Sequence, residues 1–262
     1  MKNVLITGVC GGMGYAAAKR FLNAGFRVFG IDRQPSCDLP IDYFPADITN
    51  TTSMEEVRGK IASEVDKIDG ILHFAGIYNL DSLVEISEES FVKIFDINLF
   101  GVYRINKAFV SMMGEGGRIV ITSSELAPLD PLPFTGLYAV TKGAVEKYAD
   151  SLRMELNLHG ISVSVLRPGA VRTGMLGAST TALEKFCEKT ERYACNAARF
   201  RRIVDSVETR NVPPEKIADT AFKALTAKRP KFTNNIKRNP LLRLLNILPK
   251  RMQVWIIAKI LK

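Results

Sequence analysis

The chain has 262 residues, of which 47% are hydrophobic and 24% charged, proportions that fit one globular domain, or at most two small ones, and exclude a disordered, collagen-like or disulfide-stapled chain. The net charge of +9 invites a nucleic-acid reading, but Lys228–Lys262 holds ten basic residues and no acidic one, leaving 26 basic against 27 acidic residues elsewhere. The excess is a local feature of the C-terminal tail, where cations are interleaved with bulky aliphatics and no recognition module stands, so no nucleic-acid partner is expected.

Short apolar runs alternate with longer helical patterns from the first residues onward. Val4–Ile6 reads as a strand; it is far too short for a secretory leader and stops at a glycine loop. Thr7-Gly8-Val9-Cys10-Gly11-Gly12-Met13-Gly14 follows and opens a helix over Tyr15–Asn23, with Gly25 just past its end. Arg27–Ile31 is the next strand. Met54–Val65 reads as a helix, Gly70–Phe74 as a strand and Glu89–Met113 as a long helical stretch. Arg118–Thr122 is strand-like, Leu137–Leu158 helical, and Ile161–Leu166 a strand rich in β-branched residues. This alternation implies right-handed crossover units, and hence an α/β fold: a Rossmann-like doubly wound parallel sheet with helices on both faces. Composition changes near Pro230, which divides the chain into a domain over residues 1–230 and a basic, apolar tail over residues 231–262.

Ligands of such sheets lie outside the carboxyl ends of the strands, and three groups of residues are expected there. A tight turn and a pyrophosphate approaching the backbone both exclude Cβ atoms, which is the physical case for Gly8, Gly12 and Gly14. The helix that follows turns its N–H groups and positive dipole end toward phosphate. Asp32 ends the second strand; a carboxylate there accepts hydrogen bonds from an adenosine ribose and repels a 2′-phosphate, which favours NAD. Arg33 beside it offers that phosphate a guanidinium, which keeps NADP open. Tyr138 and Lys142 stand at i and i+4 on one helix face, where the ammonium is expected to lower the tyrosine pKa from ~10 toward working pH. Ser123-Ser124 closes the strand Arg118–Thr122 at the ligand edge of the sheet.

The glycine pattern, the strand ending in Ser-Ser and the Y-x-x-x-K helix together resemble the short-chain dehydrogenase/reductase family, in its single-domain branch, over about residues 1–230. The resemblance implies a catalytic tetrad of Asn98, Ser124, Tyr138 and Lys142. Tyr138 would be the general acid/base, Ser124 would steady the substrate oxygen, Lys142 would bind the nicotinamide ribose, and Asn98 would hold a water linking Lys142 to solvent. It adds Met13, Asp47, Ile48, Ala75 and Gly76 to the cofactor site, with Asp47 against the adenine. In Arg167-Pro168-Gly169-Ala170-Val171-Arg172-Thr173 it assigns Pro168, Gly169, Val171 and Thr173 to the nicotinamide carboxamide. A substrate lid is expected at about 175–212, from Met175 to Val212. One departure stands out: the usual Asn-Asn-Ala-Gly after the fourth strand is His73-Phe74-Ala75-Gly76 here. His73 reads as a satisfied core histidine able to replace one hydrogen bond.

The implied activity is hydride transfer between NAD, with NADP as the alternative, and a hydrophobic alcohol or ketone of steroid, retinoid or long-chain type. The proline-stiffened loop Pro128–Gly136 is similar to that of steroid and retinol dehydrogenases of the family. A preference for NAD would favour alcohol oxidation. The competing readings are a silent dinucleotide-binding regulator and a protein acting chiefly at a membrane surface through its tail. Cys10, Cys37, Cys187 and Cys195 form no C-x-x-C pair and His73 and His159 no cluster, so free thiols of a reducing, cytoplasmic setting and no metal are expected. No run of ~20 apolar residues occurs. Residues 240–262, with Trp255 among basic residues, are read three ways: packing on the domain or a second subunit, peripheral contact with an anionic membrane, or a cap on the substrate pocket. A homodimer or homotetramer paired through the two long helices is the default assembly.

Overall fold

Seven strands, β1 (Asn3–Thr7), β2 (Arg27–Asp32), β3 (Asp42–Pro45), β4 (Gly70–His73), β5 (Arg118–Thr122), β6 (Ser162–Pro168) and β7 (Thr233–Ile236), make one all-parallel sheet in the order β3-β2-β1-β4-β5-β6-β7. The computed structural model describes residues 1–208, 211–237 and 239–262, and the side chains of these except 175–180 and 205–208. The chain lays down β1, β2 and β3 in one direction and β4, β5, β6 and β7 in the other, so the direction of winding reverses between β1 and β4. That reversal opens a crevice at the carboxyl edge, where a ligand is expected.

Period-two alternation assigns the strand residues to two cores. Leu5, Phe29, Ile71, Ile119 and Val163 face one side. They are covered by α2 (Thr51–Ala62), α4 (Gly101–Phe109) and α5 (Gly136–Leu156). Val4, Ile6, Leu72, Val120 and Leu166 face the other. There α1 (Gly12–Leu22) packs on α8 (Pro214–Thr226), with Phe21 edge-on to Phe26 at 5.1 Å between ring centres. The long helix predicted over Glu89–Met113 is a single helical run with a defect: α3 (Glu88–Phe95), a π turn at Asp96–Phe100, then α4 and a 3-10 turn at Val110–Met112.

Two strands escaped the sequence. β3 is four residues long and carries Asp42 and Pro45; β7 reads Thr-Asn-Asn-Ile, and asparagine is depleted in strands. Both are edge strands, where propensity counts for least. β7 lies beyond the composition shift at residue 230 and is the last strand of the sheet, and α9 (Pro240–Ile247) and α10 (Lys250–Leu261) follow it. The expected lid comprises α6 (Gly174–Lys189) and α7 (Ala194–Glu208). Residues 209–210, and the side chains at 175–180 and 205–208, Met175 included, lie outside the described residues, as does Arg238 of the tail. Phe134, Phe186, Phe200 and Leu261 gather into a third, smaller core that ties the loop before α5 to α6, α7 and α10.

Candidate active site

A cavity of about 640 Å³ lies at the carboxyl ends of β1, β2 and β4. Gly8, Gly12, Met13 and Gly14 form its floor, Asp32, Arg33, Asp47 and Ile48 one end, and Ala75, Gly76 and Thr173 the other. The glycine loop owes its shape to contacts that a side chain would break. Gly8 has φ +70°, and a Cβ there would lie 2.5 Å from the Ala75 nitrogen; a Cβ on Gly14 would lie 2.1 Å from the Gly8 carbonyl oxygen. The N-terminus of α1 has no side-chain cap and no acidic residue in its first turn. Open backbone N–H groups at a helix start, lining a cavity, fit a pyrophosphate. Asp32 accepts the Cys10 N–H at 3.0 Å and the Gln34 N–H at 3.2 Å, so the carboxylate meant for a ribose also holds the glycine loop in register. The donors and the carboxylate together suit a dinucleotide.

A second cavity, of about 290 Å³, adjoins the first and shares Met13, Gly76 and Thr173 with it. Ser124, Tyr138, Lys142, Pro168, Gly169 and Val171 line it. β5 delivers Ser124 to the sheet edge, and the first turns of α5 bring Tyr138 and Lys142 to the same point. The Ser124 hydroxyl oxygen accepts the Leu126 N–H at 3.2 Å, which orients its own proton toward the tyrosine. Lys142 donates to the Thr122 carbonyl at 3.1 Å, and its nitrogen is 5.7 Å from the centre of the Tyr138 ring.

Asn98 is buried one layer back, in the π turn. Its amide holds the Ile77 backbone from both sides, accepting the N–H at 2.9 Å and donating to the carbonyl at 3.0 Å, and it donates to Thr141 Oγ1 at 3.2 Å. π turns inside helices concentrate at functional sites; this one turns Asn98 inward from a surface helix. Between Asn98 and Lys142 stands Gly76, where a Cβ would sit 3.2 Å from Asn98 Oδ1 and 3.7 Å from Lys142 Nζ. Ser124, Tyr138 and Lys142 thus share the second cavity, with Asn98 behind Lys142 across Gly76.

The electrostatics correct one expectation. Burial raises the Tyr138 hydroxyl to about 12, only partly offset by the hydrogen bond from Ser124. The predicted lowering by Lys142 is not seen: burial sets the direction of the shift, and the opposing contribution comes from the Ser124 hydroxyl. Burial also pushes the Lys142 ammonium down to about 8. The tyrosine is thus a held proton, ready to be given. Below the site, Glu146 accepts Arg167 Nε at 2.7 Å and Ser123 Oγ at 2.8 Å, bracing the ends of β5 and β6 against α5. His73 takes the place expected of it: its Nε2 meets Asn106 Oδ1 at 2.9 Å, Asn106 donates to Tyr148 at 3.2 Å, and burial lowers the imidazole to about 4. The histidine is neutral and braces β4 against α4 and α5. Phe74 packs into the core between the two cavities.

Several lining residues were not foreseen. Cys10, Gln34, Ile77 and Tyr78 adjoin predicted positions in the chain, and adjacency alone pointed to them. Glu125 is buried directly after Ser124. Leu132, Phe200, Ile203 and Val204 wall the second cavity from the α5 approach loop and α7, while Asn239, Leu241 and Leu242 reach it from the tail. Leu132, Phe200, Ile203, Val204, Leu241 and Leu242 fall in segments read as pocket loop, lid or candidate cap, but no local pattern in the sequence marks the individual residues.

A doubly wound sheet with a phosphate-ready glycine loop beside a Ser-Tyr-Lys centre defines a dinucleotide-dependent oxidoreductase. The family model for short chain dehydrogenase matches residues 2–184. Among similar proteins are a 3-ketodihydrosphingosine reductase of Bacteroides thetaiotaomicron, 28% identical with 89% of this chain and 87% of the relative covered, and an NADPH-dependent 1-acyldihydroxyacetone phosphate reductase of Schizosaccharomyces pombe, 30% identical with 87% and 79% covered. A crystal structure of a short chain dehydrogenase family protein from Francisella tularensis superposes with a TM-score of 0.74 at 25% identity, covering 90% of this chain and 97% of that one. The chain belongs to the short-chain dehydrogenase/reductase family, and is an NAD(P)-dependent oxidoreductase.

Proposed function

We propose that the protein reduces the ketone of a long-chain, lipid-like substrate. The observation that carries this reading is the second cavity: Ser124, Tyr138 and Lys142 stand at its base, and its walls are the apolar side chains of Leu126, Leu132, Phe200, Ile203 and Leu242. Such a pocket holds an aliphatic chain by burial alone and directs one polar atom to the hydroxyl pair. The sequence by itself favours alcohol oxidation; a protonated tyrosine is the form that carbonyl reduction uses, since that direction consumes a proton at the substrate oxygen. The two relatives named above are reductases of lipid-like substrates, which supports the same direction.

When bound, the nicotinamide supplies the hydride. The rest is done by the chain. The Ser124 hydroxyl donates a hydrogen bond to the carbonyl oxygen and fixes it beside Tyr138. Tyr138 gives that oxygen its proton as negative charge develops there. The Lys142 ammonium, within reach of the ring, stabilises the phenolate left behind and holds the nicotinamide ribose. Asn98 keeps the Ile77 segment and Thr141 in place behind Lys142. At the far end Gly8, Gly12, Met13 and Gly14 receive the pyrophosphate, Asp32 and Arg33 the adenosine ribose, and Asp47 and Ile48 the adenine. Ala75, Gly76, Pro168, Gly169, Val171 and Thr173 shape the nicotinamide end. Exposed Phe100, Tyr103, Val140 and Met154 on the helices around α4 and α5 are the apolar surface for a homodimer or homotetramer.

The test is oxidation of NADH and of NADPH with a series of ketones of increasing chain length. Efficiency rising with chain length, and abolished in Tyr138→Phe, is the expected result. Turnover that peaks with short polar ketones overturns the lipid reading, and activity surviving Tyr138→Phe overturns the proton role.

A further inference from the structure

We propose that the outer face of α9 and α10 docks on an anionic lipid bilayer, with the mouth of the substrate cavity held against the membrane surface. The inner faces of both helices are fixed to the domain. Glu125 accepts the Asn239 N–H at 2.5 Å, Asn246 accepts the Asp130 N–H at 2.6 Å, Lys250 pairs with Asp130, and Asn196 donates to the Leu261 carbonyl at 2.7 Å. Leu261 is buried and Ile257 packs beside it on the lid core. The outer faces are apolar and open: Leu244 is 61% exposed, Ile247 79% and Trp255 62%, with Leu241, Met252 and Val254 also exposed. A helix pair pinned so firmly on one side does not need six bare hydrophobic residues on the other for its own folding.

Charge selects the occupant. Arg243, Arg251, Lys259 and Lys262 share the exposed surface of the two helices, and no Asp or Glu occurs anywhere from Lys228 onward. Lys259 stands 5.9 Å from the centre of the Trp255 ring, one turn away on the same face. Lysine and arginine beside tryptophan and aliphatics is the chemistry of a helix lying in the headgroup region of anionic lipid. A second copy seated on the same face would set cation against cation across an isologous contact. Among the described residues no helix is long and apolar enough to cross a membrane, so the helices lie on the surface.

The position of the pocket gives the contact its purpose. α9 walls the cavity with Leu241 and Leu242, and Leu241 is itself 66% exposed at the rim. One eight-residue helix thus forms both the wall of the pocket and the docking face. A chain leaving the bilayer passes along α9 to Ser124 and Tyr138 without crossing water. This entry route rests on the lipid-ketone reading; the docking itself is measured without substrate.

Trp255 is the only tryptophan in the chain, so its emission reports the contact directly. Vesicles of phosphatidylcholine mixed with phosphatidylglycerol are expected to shift that emission to the blue and to sediment the full-length protein, less so at high salt, while phosphatidylcholine alone does neither. Replacing Arg251, Lys259 and Lys262 together by Gln should weaken binding about 100-fold, at roughly fivefold per surface cation. Leu244→Ser with Ile247→Ser should weaken it as well, with turnover of a short soluble ketone unchanged in both variants. Unmoved emission, equal binding to neutral vesicles, or a salt-independent dimer that dissociates in the serine variant overturns the proposal. Docking with no ketone turned over separates failure of the catalytic reading from failure of this one.

Discussion

Tyr138 and Lys142 titrate in opposite senses, and the pair sets the pH behaviour of the reaction. The tyrosine stays protonated to about 12, so its proton is available throughout the neutral range. The lysine loses its charge near 8, and with it the stabilisation of the phenolate formed on proton transfer. Ketone reduction at saturating cofactor is therefore expected to be flat below about pH 8 and to decline above it; a profile level to pH 10 would remove Lys142 from that role. Tyr138→Phe is expected to lower kcat by about 10³-fold, the span of general acid catalysis, with dinucleotide affinity retained in calorimetry. His73 makes a separate statement about stability. Its folded pKa of about 4 lies below the ordinary 6.5, so unfolded chains bind the proton first as pH falls. Its contribution is constant above about 6.5 and lost between there and about 4, on the order of 3 kcal/mol. Denaturant melts of His73→Asn should show that acid limb flattened.

At the scale of elements, the glycine loop and α2 give a matched pair of tests. Gly14→Ala forces a Cβ against the Gly8 carbonyl, and backbone cannot yield as a side-chain tip can. Dinucleotide affinity should fall by more than tenfold. Gly59, inside α2, has nothing within 4 Å of an added Cβ, so Gly59→Ala should stabilise the protein by about 1 kcal/mol through helix propensity alone, with affinity unchanged. The same contrast explains what the sequence disclosed. Gly8 to Gly14 and Tyr138 to Lys142 are legible because each chemistry is written within one or two helical turns. Phe200 and Leu242 are legible only as members of the expected lid and tail, and Asn239 not at all, because they reach the pocket from distant parts of the chain by packing, which leaves no spacing to read. Asn98 was located, but the π turn that aims it inward was not, since Asp-Ile-Asn-Leu-Phe carries no helix-breaking residue. The direction of the Tyr138 shift differs from the sequence expectation for a related reason: a nearby lysine is visible in sequence, and the depth of burial that sets the shift is not.

At the scale of the molecule, the C-terminal 30 residues serve two purposes that the composition merged into one. Residues 233–236 complete the sheet, while Leu241 and Leu242 of α9 wall the pocket and Leu261 of α10 packs on the lid core. Deletion of 240–262 should leave the sheet and dinucleotide binding intact, raise KM for long-chain ketones by at least tenfold, and lower Tm by a few degrees as Leu261 leaves the lid core. Deletion from residue 231 should do worse, giving insoluble protein, because it strips β6 of its neighbour.

That last strand also carries a consequence in time. A ribosome makes β6 well before β7, with the whole lid and α8 in between. At ~5–20 residues per second the nascent chain waits several seconds with the outer edge of β6 bare. That edge is a row of unpaired backbone N–H and C=O groups on a strand whose faces carry the apolar Val163, Val165 and Leu166, the kind that recruits strands from other chains. The interval between β6 and β7 is thus the window in which a chaperone has most to protect, and slower translation across residues 169–232 should lower the yield of soluble protein.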